Sequence, residues 1–195
     1  GYYSSLERFR RLSQYLRFPY GAGLPGEVWQ TLSPRLIDRL GESSQFLRAS
    51  GAEADGLNSG LAVPIVSGED VLRSVFVMLS ANEPPIARVI QTWGPSASGG
   101  NFELSSVVAA GLPEFGQQSG QVHCRHGEGL VGRVLETRRP AVISDFSNEP
   151  ADIADLAGQA GMSWALAWPV ITHGEVQAVC MLLDLSLIHI SEPTR

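Results

Sequence analysis

A short glycine-rich string that occurs twice constrains this chain more than any other feature. Gly21-Ala22-Gly23-Leu24-Pro25-Gly26 returns as Gly127-Glu128-Gly129-Leu130-Val131-Gly132, an offset of 106. At the same offset Leu6 matches Leu112, Phe9 matches Phe115, Val28 matches Val134, Pro34 matches Pro140 and Ile37 matches Ile143. Beyond that the offset becomes 105: Ala49 matches Ala154, Gly56 matches Gly161, Leu61 matches Leu166 and Pro64 matches Pro169. One deletion in a loop accounts for the change. A period of this length is too long for a solenoid unit and suits two copies of a compact domain.

Period and punctuation predict the elements. Leu6, Phe9, Ser13 and Leu16 fall at helical spacing, so Ser5–Leu16 reads as an amphipathic helix with Arg8, Arg10, Arg11 and Arg17 on a solvated face. The glycine turn opens a short helix over Gly26–Leu32, which Pro34 ends. A short strand at Arg35–Ile37, a helix at Gln45–Ala54 and strands at Leu57–Val66 and Val71–Ser80 follow. The second copy repeats the order, with strands at Ala141–Ile143, Ser163–Ile171 and Val176–Leu183 and a helix at Ala151–Ala160. Two further strands, Ile86–Trp93 and Phe102–Val108, precede it. Hairpins interrupted by helices imply an α+β chain with antiparallel sheets.

The balance of residues excludes several function classes. The chain has 195 residues, 44% hydrophobic and 17% charged, with a net charge of −6. That composition is globular and argues against a broad nucleic-acid surface. No apolar run approaches the roughly 20 residues of a membrane span, so neither a nucleic acid nor a membrane is an expected partner. All fourteen basic residues are Arg. Two cysteines, Cys124 and Cys180, make no disulfide framework, and a cytoplasmic setting is expected. Residues 185–195 read LSLIHISEPTR, which looks like a translated transposase adapter from library preparation, and they are set aside from fold and site reasoning. The first copy is expected to be truncated at its N-terminus, the second at its C-terminus.

The ordered pieces of both copies resemble the GAF domains. In the first copy these are GAGLPGEV, Pro34, Ile37, ADGL and AVPI; in the second, GEGLVGRV, Pro140, Ile143, AGM and AWPV. The resemblance implies two GAF-type domains, at 1–82 and 83–184, each with a central antiparallel sheet, helices on one face and a small-molecule pocket on the other. It further implies a non-catalytic sensory or regulatory module that binds a small molecule or partner, with a homodimer among the options. The controlled effector, a histidine kinase, diguanylate cyclase or transcription activator, would lie outside this sequence. The alternatives are a stand-alone protein-interaction or dimerisation module and, remotely, a thiol enzyme like the methionine sulfoxide reductases of this family.

Candidate chemistry can be weighed residue by residue. The glycine turns could cradle an anion, but they lack the Lys-Ser/Thr of a P-loop, and positive φ with close helix packing explains the glycines better. The reductases resembled here carry a cysteine at the place of Val131. Cys124 lies near the turn beside Arg125 and His126 but has no resolving partner nearby in sequence. Cys180 sits in an apolar strand and reads as core. Bilin-binding members attach pigment through a cysteine that the stretch Ser147–Gly161 lacks. Cyclic-nucleotide members use a signature that includes Lys, which this chain does not contain. His123 and His126 are weak haem candidates, and His173 falls in a solvent-facing turn. No cluster has metal-ligand spacing, and the cofactor remains unassigned. The best ligand-binding candidates are Trp164, Leu166 and Trp168, which alternate along one strand and share a face, with His123, Arg125 and Asp145 at the rim. Those tryptophans either stack on a planar ligand or fill a core or interface.

Overall fold

The computed structural model describes residues 6–185 apart from 69, 82, 98, 100 and 121; the side chains of 7, 8, 123 and 185 lie outside the description, as do residues 186–195 of the predicted foreign tail over 185–195. The chain gathers into two compact units, residues 1–82 with 172–175 and residues 83–171 with 176–195. Both are α+β, with antiparallel sheets and a few helices.

The first unit runs α1 (Glu7–Tyr15), α2 (Gly23–Thr31), β1 (Arg35–Ile37), α3 (Ala49–Ala54), β2 (Leu57–Val66) and β3 (Leu72–Ala81). Its sheet has the order β1-β2-β3, antiparallel throughout. The core gathers Phe9 of α1, Leu24 and Val28 of α2, Leu40, Phe46 and Ala62. Leu79, Leu24 and Leu40 press so closely on Gly60 that a Cβ there would lie 3.0 Å from the first and 3.3 Å from the other two, which favours glycine at this position of β2. Burying side chains of the size of Phe9 or Leu24 contributes roughly 1.5–3 kcal/mol each.

The second unit runs β4 (Ala87–Pro95), β5 (Phe102–Ala109), α4 (Pro113–Ser119), β6 (His123–Cys124), α5 (Gly129–Thr137), β7 (Ala141–Ile143), α6 (Ala151–Gln159), β8 (Ala165–Thr172) and β9 (Glu175–Leu185). These strands form a six-stranded sheet in the order β6-β5-β4-β9-β8-β7. Strand alternation decides its faces. Val89 and Trp93 of β4, Ala165 and Ala167 of β8, and Val179, Met181 and Leu183 of β9 join one core with Phe115 of α4, Leu130 and Val134 of α5, and Ile153 and Ala157 of α6.

The two units share their pairing. Arg35, Leu36 and Ile37 face Ala62, Leu61 and Gly60, and Ala141, Val142 and Ile143 face Ala167, Leu166 and Ala165. The glycine turns match as well. Gly21 and Gly127 both have φ of 75°, and their N–H groups donate to Gly26 O at 2.9 Å and Gly132 O at 3.0 Å.

The structure corrects one helix. The stretch predicted over Gln45–Ala54 is helical only from Ala49, and residues 41–48 are mostly turns. Phe46 is pulled into the core, where its ring stacks on Phe9 at 6.3 Å. That anchor, together with turn bonds from Phe46 N to Ser43 O and from Ala49 N to Phe46 O, holds the chain off the helical path.

Candidate functional site

Within the second unit, β4 places Val89, Gln91 and Trp93 in one row beneath the helices. Val89 and Trp93 belong to the apolar core, yet Gln91 between them is only 2% exposed. A buried carboxamide in an apolar row needs a partner. It has one in Trp93, whose indole Nε1 donates to Gln91 Oε1 at 3.1 Å. Because an indole N–H can only donate, the amide oxygen must face it, and the NH2 end of Gln91 points away from that bond.

Gln91 and Trp93 border a cavity of about 10 Å³, room for about one water molecule. Phe115 and Ser119 of α4 close it on one side, Ile153 and Leu156 of α6 on another, and Met181 and Leu183 of β9 complete the floor, with Val122 at the end. Ser119 is buried, and its hydroxyl donates to Gly116 O at 3.2 Å. Among the described residues, the polar groups around this space are uncharged. It lies on the helix-bearing face of the sheet, whereas the family resemblance placed a pocket on the face without helices.

Of the six residues singled out from the sequence, Trp164, Leu166, Trp168, Arg125 and Asp145 do not line this cavity. Leu166 and Trp168 are half-buried and alternate with buried Ala165 and Ala167, so they occupy the opposite face of β8. Trp164 precedes the strand; its N–H and that of Ser163 donate to Asp184 Oδ1 at 3.4 and 3.0 Å. Asp184 also accepts Arg88 Nη1 at 3.1 Å, which ties the start of β8 to β4 and β9. Arg125 is exposed. Asp145 is exposed too, and it accepts bonds from the hydroxyl and N–H of Ser147, which lower its pKa in that order. The backbone of His123 pairs with Glu103, and its side chain lies outside the described residues. Sequence reasoning missed Gln91, Trp93 and Ser119. The available signal was a Gln flanked at i−2 and i+2 by Val89 and Trp93, which the pleat puts on one face.

The glycine turns engage their own donors. Besides the Gly127 bond, Glu128 N–H donates to Arg125 O at 3.1 Å. The first turn of α5 receives a carboxylate from the protein itself, as Leu130 N–H donates to Glu149 Oε2 at 2.8 Å. Burial raises the Glu149 pKa, opposed by the Leu130 hydrogen bond and the Arg133 charge. Cys124 lies deep nearby, and desolvation, with smaller contributions from Glu149 and Glu128, pushes its thiol up to about 12. Burial alone pushes Cys180 up to about 12. Both thiols are therefore protonated at neutral pH, the reverse of what nucleophilic sulfur chemistry needs. Among the described residues no group of three or more His, Cys, Asp or Glu could hold a metal ion, and no helix is long and apolar enough to cross a membrane.

Compared with protein-family models and with curated proteins, the sequence matches none. Similar solved structures include the GAF domain of a phosphoenolpyruvate-protein phosphotransferase from Coxiella burnetii, 22% identical, covering 54% of this chain and 61% of that one at a TM-score of 0.40. A GAF domain/HD domain protein from Geobacter sulfurreducens is 14% identical, with 56% and 68% covered and a TM-score of 0.42. A type II free methionine-R-sulfoxide reductase from Thermoplasma acidophilum is 14% identical, with 52% and 64% covered and a TM-score of 0.39.

Proposed function

We propose that this chain is a non-catalytic, cytoplasmic sensory or regulatory module of the GAF type. A small molecule entering the second unit would shift the population between two packings of α4 and α6 on the sheet, and that shift would control an effector outside this sequence. The observation that carries the reading is the hydrogen-bonded pair of Gln91 and Trp93 beside a cavity in an otherwise apolar core. A core built only for stability has no use for a carboxamide there, because apolar residues of similar shape avoid its desolvation. The ordered motifs quoted above support the family assignment. The raised thiol pKa of Cys124 supports a role without sulfur chemistry.

Two measurements test this. Native mass spectrometry of the full chain, purified without denaturation, is expected to show a bound small molecule whose removal lowers Tm. Incubation with free methionine sulfoxide and a dithiol reductant is expected to give no turnover. Turnover that disappears in Cys124→Ser would overturn the non-catalytic reading.

A second reading is a protein-interaction module, favoured by an aromatic pair on the first unit. Tyr20 and Trp29 are 59% and 46% exposed and pack edge to face at 5.3 Å. An exposed aromatic pair of this kind suits a protein contact. Light scattering of the native chain and of Trp29→Ser tests it: a homodimer that dissociates in the variant supports this reading, and a monomer in both removes it.

A further inference from the structure

We propose that Gln91 is the recognition group of the second unit's cavity and selects a small, uncharged, largely apolar ligand that carries a hydrogen-bond acceptor such as a carbonyl. This rests on the ligand-sensing reading above and deepens it.

Three observations lead to this ligand class. First, the Trp93 indole fixes which end of the carboxamide does what. The oxygen accepts from Nε1 at 3.1 Å, so the NH2 end is the group left to meet a ligand, and it can only donate. The bond to Trp93 is the one side-chain hydrogen bond that Gln91 makes among the described residues. Second, among the described side chains no Asp, Glu, Arg or His borders the cavity. A charged ligand would lose its hydration there and gain no counter-charge, which disfavours it strongly. Third, Phe115, Val122, Ile153, Leu156 and Leu183 supply apolar walls that match a hydrocarbon or aromatic body. With room for only one water, such a ligand must displace α4 or α6 to enter, which couples its binding to the helix packing.

The test is a titration of the full chain with acetophenone, ethylbenzene and benzoate, followed through the indole N–H resonance of Trp93. These probes share a ring and differ in acceptor and charge. Acetophenone is expected to bind about three- to tenfold more tightly than ethylbenzene, the worth of one buried hydrogen bond, and benzoate most weakly. The preference should vanish in Gln91→Met, which keeps the shape and loses the donor. It should shrink in Trp93→Phe, which frees the amide to turn; in that variant binding is followed through backbone amides around the cavity. Equal affinity for acetophenone and ethylbenzene in the native chain overturns the role of Gln91 while leaving a ligand cavity in place, and this comparison needs no variant to fold. Tightest binding by benzoate overturns the uncharged class. If none of the three moves the Trp93 resonance, the proposal fails, whereas the sensory reading is decided separately by native mass spectrometry of the purified chain.

Discussion

The close approach at Gly132 yields a prediction whose sign is diagnostic. Gly132 lies inside α5, where replacing Gly by Ala normally stabilises a helix by about 0.8–1.0 kcal/mol. Here the added Cβ would sit 2.1 Å from Arg125 O. That oxygen is backbone and already accepts the Glu128 N–H at 3.1 Å, so it cannot swing aside as a side chain would. Relieving an overlap of about 1 Å requires the 125–127 turn to shift, which also loosens the Gly127 N–H bond to Gly132 O. Overpacking of this kind costs about 1–3 kcal/mol, and a lost turn bond about 1 more. Against the helix gain the net is a destabilisation of about 1–3 kcal/mol, or roughly 2–12 °C in Tm for a chain of this size. Gly158 is the control. It lies in α6, where an added Cβ would meet nothing within 4 Å, so Gly158→Ala should raise stability by up to about 1 kcal/mol. Urea unfolding followed by far-UV circular dichroism reads both. If Gly132→Ala is as stabilising as Gly158→Ala, the packing account of the glycine turn is wrong, and anion binding regains its standing as the reason for those glycines.

Other expectations follow from single contacts. Glu149→Ala removes the acceptor for the Leu130 N–H and should cost about 1 kcal/mol, a typical helix-cap loss; Glu149→Gln keeps an acceptor oxygen and should cost less, as urea midpoints would show. The two buried thiols have folded pKa values raised to about 12, so the folded state holds protons that the unfolded chain releases near pH 8.5–9. Stability is therefore kept below about pH 8.5 and falls as pH rises above it, by up to about 1.4 kcal/mol per pH unit per thiol until the folded pKa is reached; a double Cys124→Ala, Cys180→Ala chain should show a flatter Tm profile from pH 8 to 11. Asp184→Ala should cost about 1–3 kcal/mol, because it leaves the Ser163 N–H and Arg88 without their carboxylate; near-UV circular dichroism should report loosening around Trp164.

Much of the fold was legible because the chain punctuates itself. Pro34 and Pro140 mark where β1 and β7 begin, and Arg35–Ile37, Leu57–Val66 and Ala141–Ile143 have the bounds read from the sequence. The start of α3 was not legible, since the anchoring of Phe46 against Phe9 is a long-range contact that no local period encodes. The cavity was hidden for a different reason. Strand alternation says that Gln91 shares a face with Val89 and Trp93 but not which face the helices cover. Trp164, Leu166 and Trp168 drew notice through their alternation along one strand, while a single Gln in Ile90–Trp93 reads locally like any solvent-facing position.

The shared register of β1–β2 and β7–β8 has a consequence for how such a chain can change its length. The residue that separates an offset of 106 from one of 105 falls between Ile37 and Ala49 in the first unit and between Ile143 and Ala154 in the second. Within a strand, the same indel would turn every later side chain to the wrong face. In this connection it changes only how early the next helix starts, at Ala49 in α3 and at Ala151 in α6. The loop therefore acts as an expansion joint: insertions there leave both hairpins in frame, and chimeras that exchange the hairpins of the two units should be cut within 38–48 and 144–150.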